Sequence, residues 1–306
     1  MKTDLVLRCP ACEHDALADD EFCESCGFAL GVLRDAHRNH FEIEAARAAG
    51  VSDRGLVHRR NEDALFVESI GTATVAIVCD GVSTSVAPQV AAETAADTAG
   101  SVIADALRGK EVQWEPEPVL VDAVAAANGA VIAVPWMPQP GSEGPSCTIV
   151  AVVWDGAAVS LAWTGDSRAY WVSDTVANQL TSDHSWAQEQ IDAGCADPHH
   201  ALADPRAHAI TRWLGPDAPD SPPPTASFEP DTAGRLIVCS DGLWNHLEST
   251  DELSVIVADA GHDALPIEIA RTLTDIAVAR GGHDNVTVAV VEIAPSLRNH
   301  DEELRT

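Results

Sequence analysis

The stretch Cys239-Ser240-Asp241-Gly242-Leu243-Trp244 closes an apolar run, 236–239, with an aspartate and a glycine. The same form recurs where the run 75–79 meets Asp80-Gly81, and in inverted order where His283-Asp284-Asn285 opens the run 286–291. Short runs rich in β-branched residues and bounded by turn formers predict buried strands. An aspartate at the tip of such a strand stands at the edge of the core on rigid backbone. Three of them from distant parts of the chain predict one shared site, and converging carboxylates repel one another unless a cation lies between them.

Asp166, in Thr164-Gly165-Asp166-Ser167-Arg168, turns at a further strand end and joins the set. Hard oxygen ligands without histidine or cysteine alongside select Mg²⁺ or Mn²⁺ over zinc. Two such ions bridged by one carboxylate can deprotonate a shared water and clamp the oxygens of an in-line displacement at phosphorus. Phosphate monoesters hydrolyse extremely slowly unaided, so a metal pair has most to contribute there.

Around these tips the pattern predicts strands at 63–70, 74–79, 146–154, 158–163, 169–173, 235–240 and 285–293. Helices are predicted at 86–107, 118–134, 185–193, 251–260 and 265–280, the first two rich in alanine at helical spacing. Residues 50–55 read as a turn and 135–145 as a proline-rich loop, while 183–224 is an irregular stretch of the length that lids and binding segments have. Strand pairs alternate with helix pairs, not strand with helix. That order predicts an α+β fold: a central β-sandwich of two antiparallel sheets flanked by helix pairs, in α-β-β-α layers.

The first thirty residues are a separate problem. Cys9-Pro10-Ala11-Cys12 and Cys23-Glu24-Ser25-Cys26-Gly27 form two C-x-x-C pairs with the spacing of a tetrahedral zinc site. The segment has too few apolar residues for a core, so metal binding would supply its folding free energy, about 10–16 kcal/mol in comparable peptides. It resembles a zinc ribbon. The chain then divides into a ribbon at 1–30, a linker at 31–44, a large domain at 45–294 and a charged tail at 295–306.

Acidic residues outnumber basic ones 48 to 18 among 306, for a formal charge of −30. Such a charge argues against nucleic-acid or anionic-membrane partners. The ribbon is acidic as well, which predicts docking to a protein. There is no apolar leader at the N-terminus and no apolar stretch of about 18 residues. The expectation is a cytoplasmic protein whose thiols stay reduced.

Taken together, Asn61-Glu62-Asp63, Asp80-Gly81, Thr164-Gly165-Asp166-Ser167-Arg168, Ser240-Asp241-Gly242-Leu243-Trp244 and Asp284-Asn285 resemble the metal-dependent serine/threonine protein phosphatases of type 2C, the PPM family. Leu180-Thr181-Ser182-Asp183-His184-Ser185 and Thr211-Arg212-Trp213-Leu214-Gly215 add to the resemblance, whose order and spacing run through residues 45–294. The resemblance implies that Asp80 bridges two catalytic Mn²⁺ or Mg²⁺ ions, with the Gly81 carbonyl completing one shell. It implies that Asp241 and Asp284 hold the other ion, that Glu62 and Asp63 orient waters, and that Asp166 with Asp241 holds a weaker third ion. Asn285 would steer the backbone, and the stretch from Asp183 would be a flap beside the site.

The chain departs from the family where its phosphate-binding arginine stands, for here the residue is His58, followed by Arg59 and Arg60. We expect these three to share the phosphate contact. Val82 stands where many members have a histidine proposed as general acid, which leaves a bound water, His58 or His184 to protonate the leaving oxygen. The implied activity is hydrolysis of phosphoserine and phosphothreonine in proteins by direct attack of a metal-bridging hydroxide. The alternative is a phosphoprotein-binding adaptor whose phosphatase-like domain is weakly active or inactive. His199 and His200 read as solvated loop residues, and Cys79 and Cys239 as small buried strand residues.

Overall fold

The computed structural model describes residues 6–9, 12, 14–17, 22–27, 38–109, 114–138, 140–173, 176–247 and 249–294. The N-terminal part contains one small antiparallel pair, β1 (Val6–Arg8) with β2 (Asp15–Leu17). The predicted tail at 295–306 lies outside the described residues, as does 31–37 of the predicted linker.

The remaining strands are β3 (His40–Glu44), β4 (Ala48–Asp53), β5 (Ala64–Ile70), β6 (Ala73–Cys79), β7 (Ile149–Trp154), β8 (Val159–Thr164), β9 (Arg168–Val172), β10 (Ala177–Gln179), β11 (Thr225–Phe228), β12 (Gly234–Cys239) and β13 (Val286–Ile293). They form two sheets, one in the order β10-β9-β12-β13-β4-β3 and one in the order β11-β8-β7-β6-β5. Every pairing is antiparallel.

The sheets pack face to face. On β6, Ala76 and Val78 point into the space between them, where they meet Val152, Leu161, Leu236, Val238 and Ala289. Val75, Ile77 and Cys79 point the other way, toward helices α1 (Pro88–Arg108) and α2 (Pro116–Ile132). The alanine stripe Ala91, Ala95 and Ala99 on α1 lets that helix lie close on the sheet. Behind the other sheet, α7 (Pro266–Ala279) buries Ile269, Leu273 and Ala277 against Val51, Ile237, Val288 and Val290. Strands covered on both faces are apolar at most positions, so their runs are nearly continuous despite the antiparallel pairing. The predicted α-β-β-α sandwich is the observed one.

Three local expectations are corrected. Residues 50–53, expected to be a turn, belong to the buried strand β4, paired with β13 and β3. Gly50 is there for closeness, not for turning: a Cβ on it would lie 2.5 Å from the Leu65 side chain. Residues 40–44, expected to be linker, form the edge strand β3, with Phe41 and Ile43 packed on the core and His40 and Glu44 exposed. The irregular stretch after 183 holds two helices, α3 (Trp186–Asp192) and α4 (Pro198–Leu202), where one was expected. Between α4 and α7 lie the single turn α5 (Asp241–Trp244) and α6 (Thr250–Ala260).

Candidate active site

The turns that carry the predicted aspartates lie at one end of the sandwich and are tied to one another by hydrogen bonds. Asp80 follows β6 directly. Its backbone N–H donates to Thr148 Oγ1 at 3.1 Å and its carbonyl accepts from the Thr148 N–H at 2.8 Å. Gly81 then passes so close to the 61–63 turn that a Cβ would lie 2.5 Å from the Glu62 carbonyl. Its own N–H donates to that carbonyl at 3.2 Å.

Asp241 opens α5 at the end of β12. Beside it, a Cβ on Gly242 would lie 1.8 Å from the Asn285 carbonyl, so only glycine lets the two ligand-bearing turns meet. Asn285 is buried and acts as a three-way clamp. Its Nδ2 donates to the carbonyls of Arg54 at 2.8 Å and Arg60 at 3.0 Å, and its Oδ1 accepts from the Glu62 N–H at 2.7 Å. Ser240 Oγ donates to Asp63 Oδ2 at 2.8 Å and accepts from the Thr287 N–H at 3.0 Å.

Asp166 is buried on the turn between β8 and β9. The preceding Gly165, at φ +105°, donates its N–H to His184 Nδ1 at 3.0 Å and accepts from the His184 N–H at 2.9 Å. The Asp166 carbonyl accepts from Trp244 Nε1 at 3.0 Å. Over that indole lies the Arg168 guanidinium, 3.6 Å from the ring centroid, in the geometry of a cation–π contact. Arg168 also grips Asp183 in a fork, Nε to Oδ1 at 2.9 Å and Nη2 to Oδ2 at 2.6 Å, and donates through Nη1 to the Tyr170 hydroxyl at 3.2 Å. The start of the flap stretch is thereby tied to the Asp166 turn. Neither Arg168 nor Asp183 was singled out from sequence; each stands inside a quoted motif, and that was the available signal.

Crowding shows in the electrostatics. Burial pushes the Asp63 carboxyl up to about 7, with repulsion from Asp284 and Asp241 adding to it. Burial and then Asp241 and Asp183 push Asp166 up to about 8, while burial and then Asp284 push Asp241 up to about 6. Asp80 is raised well above the usual carboxylate range by burial, then by Asp63, Asp241, Asp166 and Asp284. Asp63, Asp80, Asp166, Asp241 and Asp284 thus stand near enough to repel one another's charge through Asp80. The buried atoms Asp63 Oδ1 and Asp241 Oδ1 have no hydrogen-bond partner. Buried acceptors left unpaired among like charges are what a hard divalent cation satisfies, and the donors are all oxygen. The residues fit Mn²⁺ or Mg²⁺.

The other expected residues divide. His58 Nε2 lies 3.3 Å from Asp284 Oδ1, at the centre. Glu62 Oε2 accepts from Ser83 Oγ at 2.7 Å. Arg59 and Arg60 are exposed and make no ion pair among the described residues. Burial, and then the Arg212 charge, hold the His184 pKa down at about 4, and its Nδ1 accepts from the Gly165 N–H. His199 and His200 lie on α4, both exposed, with His200 paired to Asp197.

In the N-terminal part the four predicted thiols come together, with the ligand atoms of Cys9, Cys12, Cys23 and Cys26 all within 4.8 Å of one another. Cys9 and Cys26 sulfurs are 3.5 Å apart, and those of Cys12 and Cys23 are 3.6 Å apart. A tetrahedral zinc with Zn–S of about 2.3 Å puts its sulfurs about 3.8 Å apart. Gly27, at φ +73°, closes the second knuckle with its N–H on the Cys23 carbonyl at 2.8 Å.

No family model matches the chain. Individual proteins do. The serine/threonine protein phosphatase PstP of Mycobacterium tuberculosis is 29% identical over 248 residues, which cover 81% of this chain and 45% of that protein. The chain thus spans under half the length of that relative. The serine/threonine phosphatase Stp of Listeria welshimeri is 28% identical over 254 residues, covering 79% of this chain and 93% of the relative. Among solved structures, Stp1 of Staphylococcus aureus superposes with a TM-score of 0.70 at 25% identity, over 83% of this chain and 98% of that one. The catalytic domain of PstP in complex with two manganese ions superposes with a TM-score of 0.61 at 28% identity, over 81% and 98%. The two antiparallel sheets with their flanking helices are the fold of these phosphatases.

Proposed function

We propose that this chain is a Mn²⁺- or Mg²⁺-dependent protein serine/threonine phosphatase of the PPM type, carrying a small zinc-holding ribbon at its N-terminal end. The observation that carries the reading is the mutual repulsion of Asp63, Asp166, Asp241 and Asp284 with Asp80 at one half-buried place, where two buried carboxylate oxygens lack a hydrogen-bond partner. The similarity to bacterial serine/threonine phosphatases over four-fifths of the chain supports it.

In this reading Asp80, the Gly81 carbonyl, Asp241 and Asp284 would hold the catalytic ions, and Asp166 with Asp241 would hold a further one. When bound, the ions supply an acidified water as nucleophile and positive charge against the phosphoryl oxygens. Glu62 and Asp63 orient water at the centre from the turn that Asn285 clamps. His58 faces the phosphoryl group from beside Asp284, and Arg59 and Arg60 extend the positive edge outward. The ribbon, taken as residues 1–30, holds zinc through Cys9, Cys12, Cys23 and Cys26 and docks a protein partner; the catalytic domain begins with β3. No helix among the described residues is long and apolar enough to cross a membrane, and a cytoplasmic protein acting on phosphoproteins fits that and the charge.

The test is turnover of a phosphothreonine peptide with Mn²⁺. Wild-type protein should hydrolyse it, and Asp241→Asn should not. Equal turnover by the two proteins sinks the mechanism. Binding of the peptide without any hydrolysis by wild-type protein leaves the adaptor reading.

A further inference from the structure

Leu56 and Val57 are 65% and 63% exposed, side by side in the turn that leads from β4 to His58. Single exposed apolar residues are ordinary. This pair differs in how firmly it is held. The Gly55 N–H donates to Asp53 Oδ1 at 2.7 Å, the Leu56 N–H to the Gly282 carbonyl at 2.8 Å, and Arg54 Nη1 to the His58 carbonyl at 3.0 Å. The carbonyls of Arg54 and Arg60, at the two ends of the turn, both accept from Asn285 Nδ2.

The turn is also pressed against the metal-ligand turn. A Cβ on Gly55, at φ +70°, would lie 2.2 Å from the Asp284 carbonyl and 2.8 Å from that of Gly282. A Cβ on Gly282 would lie 3.0 Å from Leu56 Cγ, so the leucine rests on bare glycine backbone and shows its other side to water. One residue further along, His58 reaches Asp284. The backbone that carries these two branched apolar side chains is thus held against the Asp284 turn. Preorganised apolar surface gives affinity without an ordering cost. It also works whatever the charge of the partner, an advantage where a chain of charge −30 repels acidic segments.

We propose that Leu56 and Val57 form an apolar shelf that receives an apolar side chain next to the phosphorylated residue of a protein substrate, and so set this enzyme's substrate preference. The proposal rests on the phosphatase reading above. Its occupant is the substrate itself, because the shelf is continuous through His58 with the site where the phosphoryl group must sit.

The experiment compares kcat/KM, with Mn²⁺, for two phosphothreonine peptides that differ only in carrying leucine or serine on both sides of the phosphothreonine. Wild-type protein should favour the leucine peptide about tenfold, the scale set by one apolar contact. Leu56→Ser with Val57→Ser should bring that ratio toward one, acting through KM, and Val57→Thr alone should bring it part of the way. A wild-type ratio near one overturns the shelf, and so does a double variant that keeps the wild-type ratio or weakens both peptides equally. If the double variant changed the oligomeric state and left the ratio alone, the pair would belong to self-association and the proposal would fall. Failure of wild-type protein on both peptides and on p-nitrophenyl phosphate would sink the phosphatase reading. Equal hydrolysis of both peptides sinks only the shelf.

Discussion

The carboxylates of the catalytic centre come from turns spread between Glu62 and Asp284, whereas the four thiols come from positions 9, 12, 23 and 26. The first set is held together against its own charge. Asp63, Asp80, Asp166 and Asp241 all have raised pKa values, so assembling them opposes folding, and three apolar layers of the sandwich offset that cost. The second set stands in a segment whose sequence has few apolar residues. Two three-residue strands and a pair of knuckles are too little to fold without a cross-link or a metal. On the proposed reading the fold would position the metal in one region, and in the other the metal would make the fold.

Removing a ligand should therefore act oppositely in the two regions. Asp80→Asn should lower kcat by more than about 10²-fold, since even outer-shell partners of metal ligands cost 10–100-fold. In chelator, however, its melting temperature should match or exceed that of wild-type protein, because a repelling charge has gone from the centre. A lower Tm would break the contrast.

Asn285→Ala should come next. It strips hydrogen bonds from the Glu62 N–H and from the Arg54 and Arg60 carbonyls, each worth about 1–3 kcal/mol when left unsatisfied. We expect a loss of 10–100-fold in Mn²⁺ affinity by titration. Unchanged affinity would show that the clamp does not set the geometry of the centre.

Cys12→Ser should empty the ribbon of zinc by metal analysis and open residues 1–30 to brief proteolysis. The main melting transition should move by less than about 2 °C, the shift of roughly half a kcal/mol in a domain of this size. A larger shift would mean that the ribbon braces the catalytic domain.

The last effect concerns pH. Asp63, Asp166 and Asp241 titrate at about 7, 8 and 6 in the folded chain, against 3.8 for an ordinary aspartate. Folding favours their protonated forms. The stability they contribute is fully present below pH 3.8 and is lost as the pH rises to about 8. In chelator, Tm should fall between pH 5.5 and pH 8. Saturating Mn²⁺ should flatten that slope, and an equal slope with and without the ion would contradict a shared centre.

How much of this was legible varied with the residue. Asp80, Asp241 and Asp284 could be read because an apolar run that stops at Asp-Gly, or starts after Asp-Asn, has few structural meanings. The cysteine pairs could be read because their ligand spacing is local. Residues 50–53 misled because glycine and serine at a turn-like spacing also suit a strand squeezed between neighbours, as the approach of Gly50 to Leu65 shows. β3 carries a period-two pattern in Phe41 and Ile43, but five residues with three charged or polar ones give a weak signal at a sheet edge. The Arg168 fork on Asp183 and the Gly165–His184 pair join segments fifteen or more residues apart, and nothing local announces them.

By itself the sequence determined the layer order, the donor types of the two candidate metal clusters and the strongly negative net charge. Those follow from periodicity, from the hardness of the donors and from net charge, none of which needs coordinates. Only the tertiary structure decided which turns touch. It made Asn285 a clamp, Gly242 obligatory, His184 a neutral strut and Leu56 with Val57 a fixed exposed pair. The reason is physical: each role arises from a backbone approach of a few ångströms between distant segments, and a linear pattern carries no information on distances of that kind.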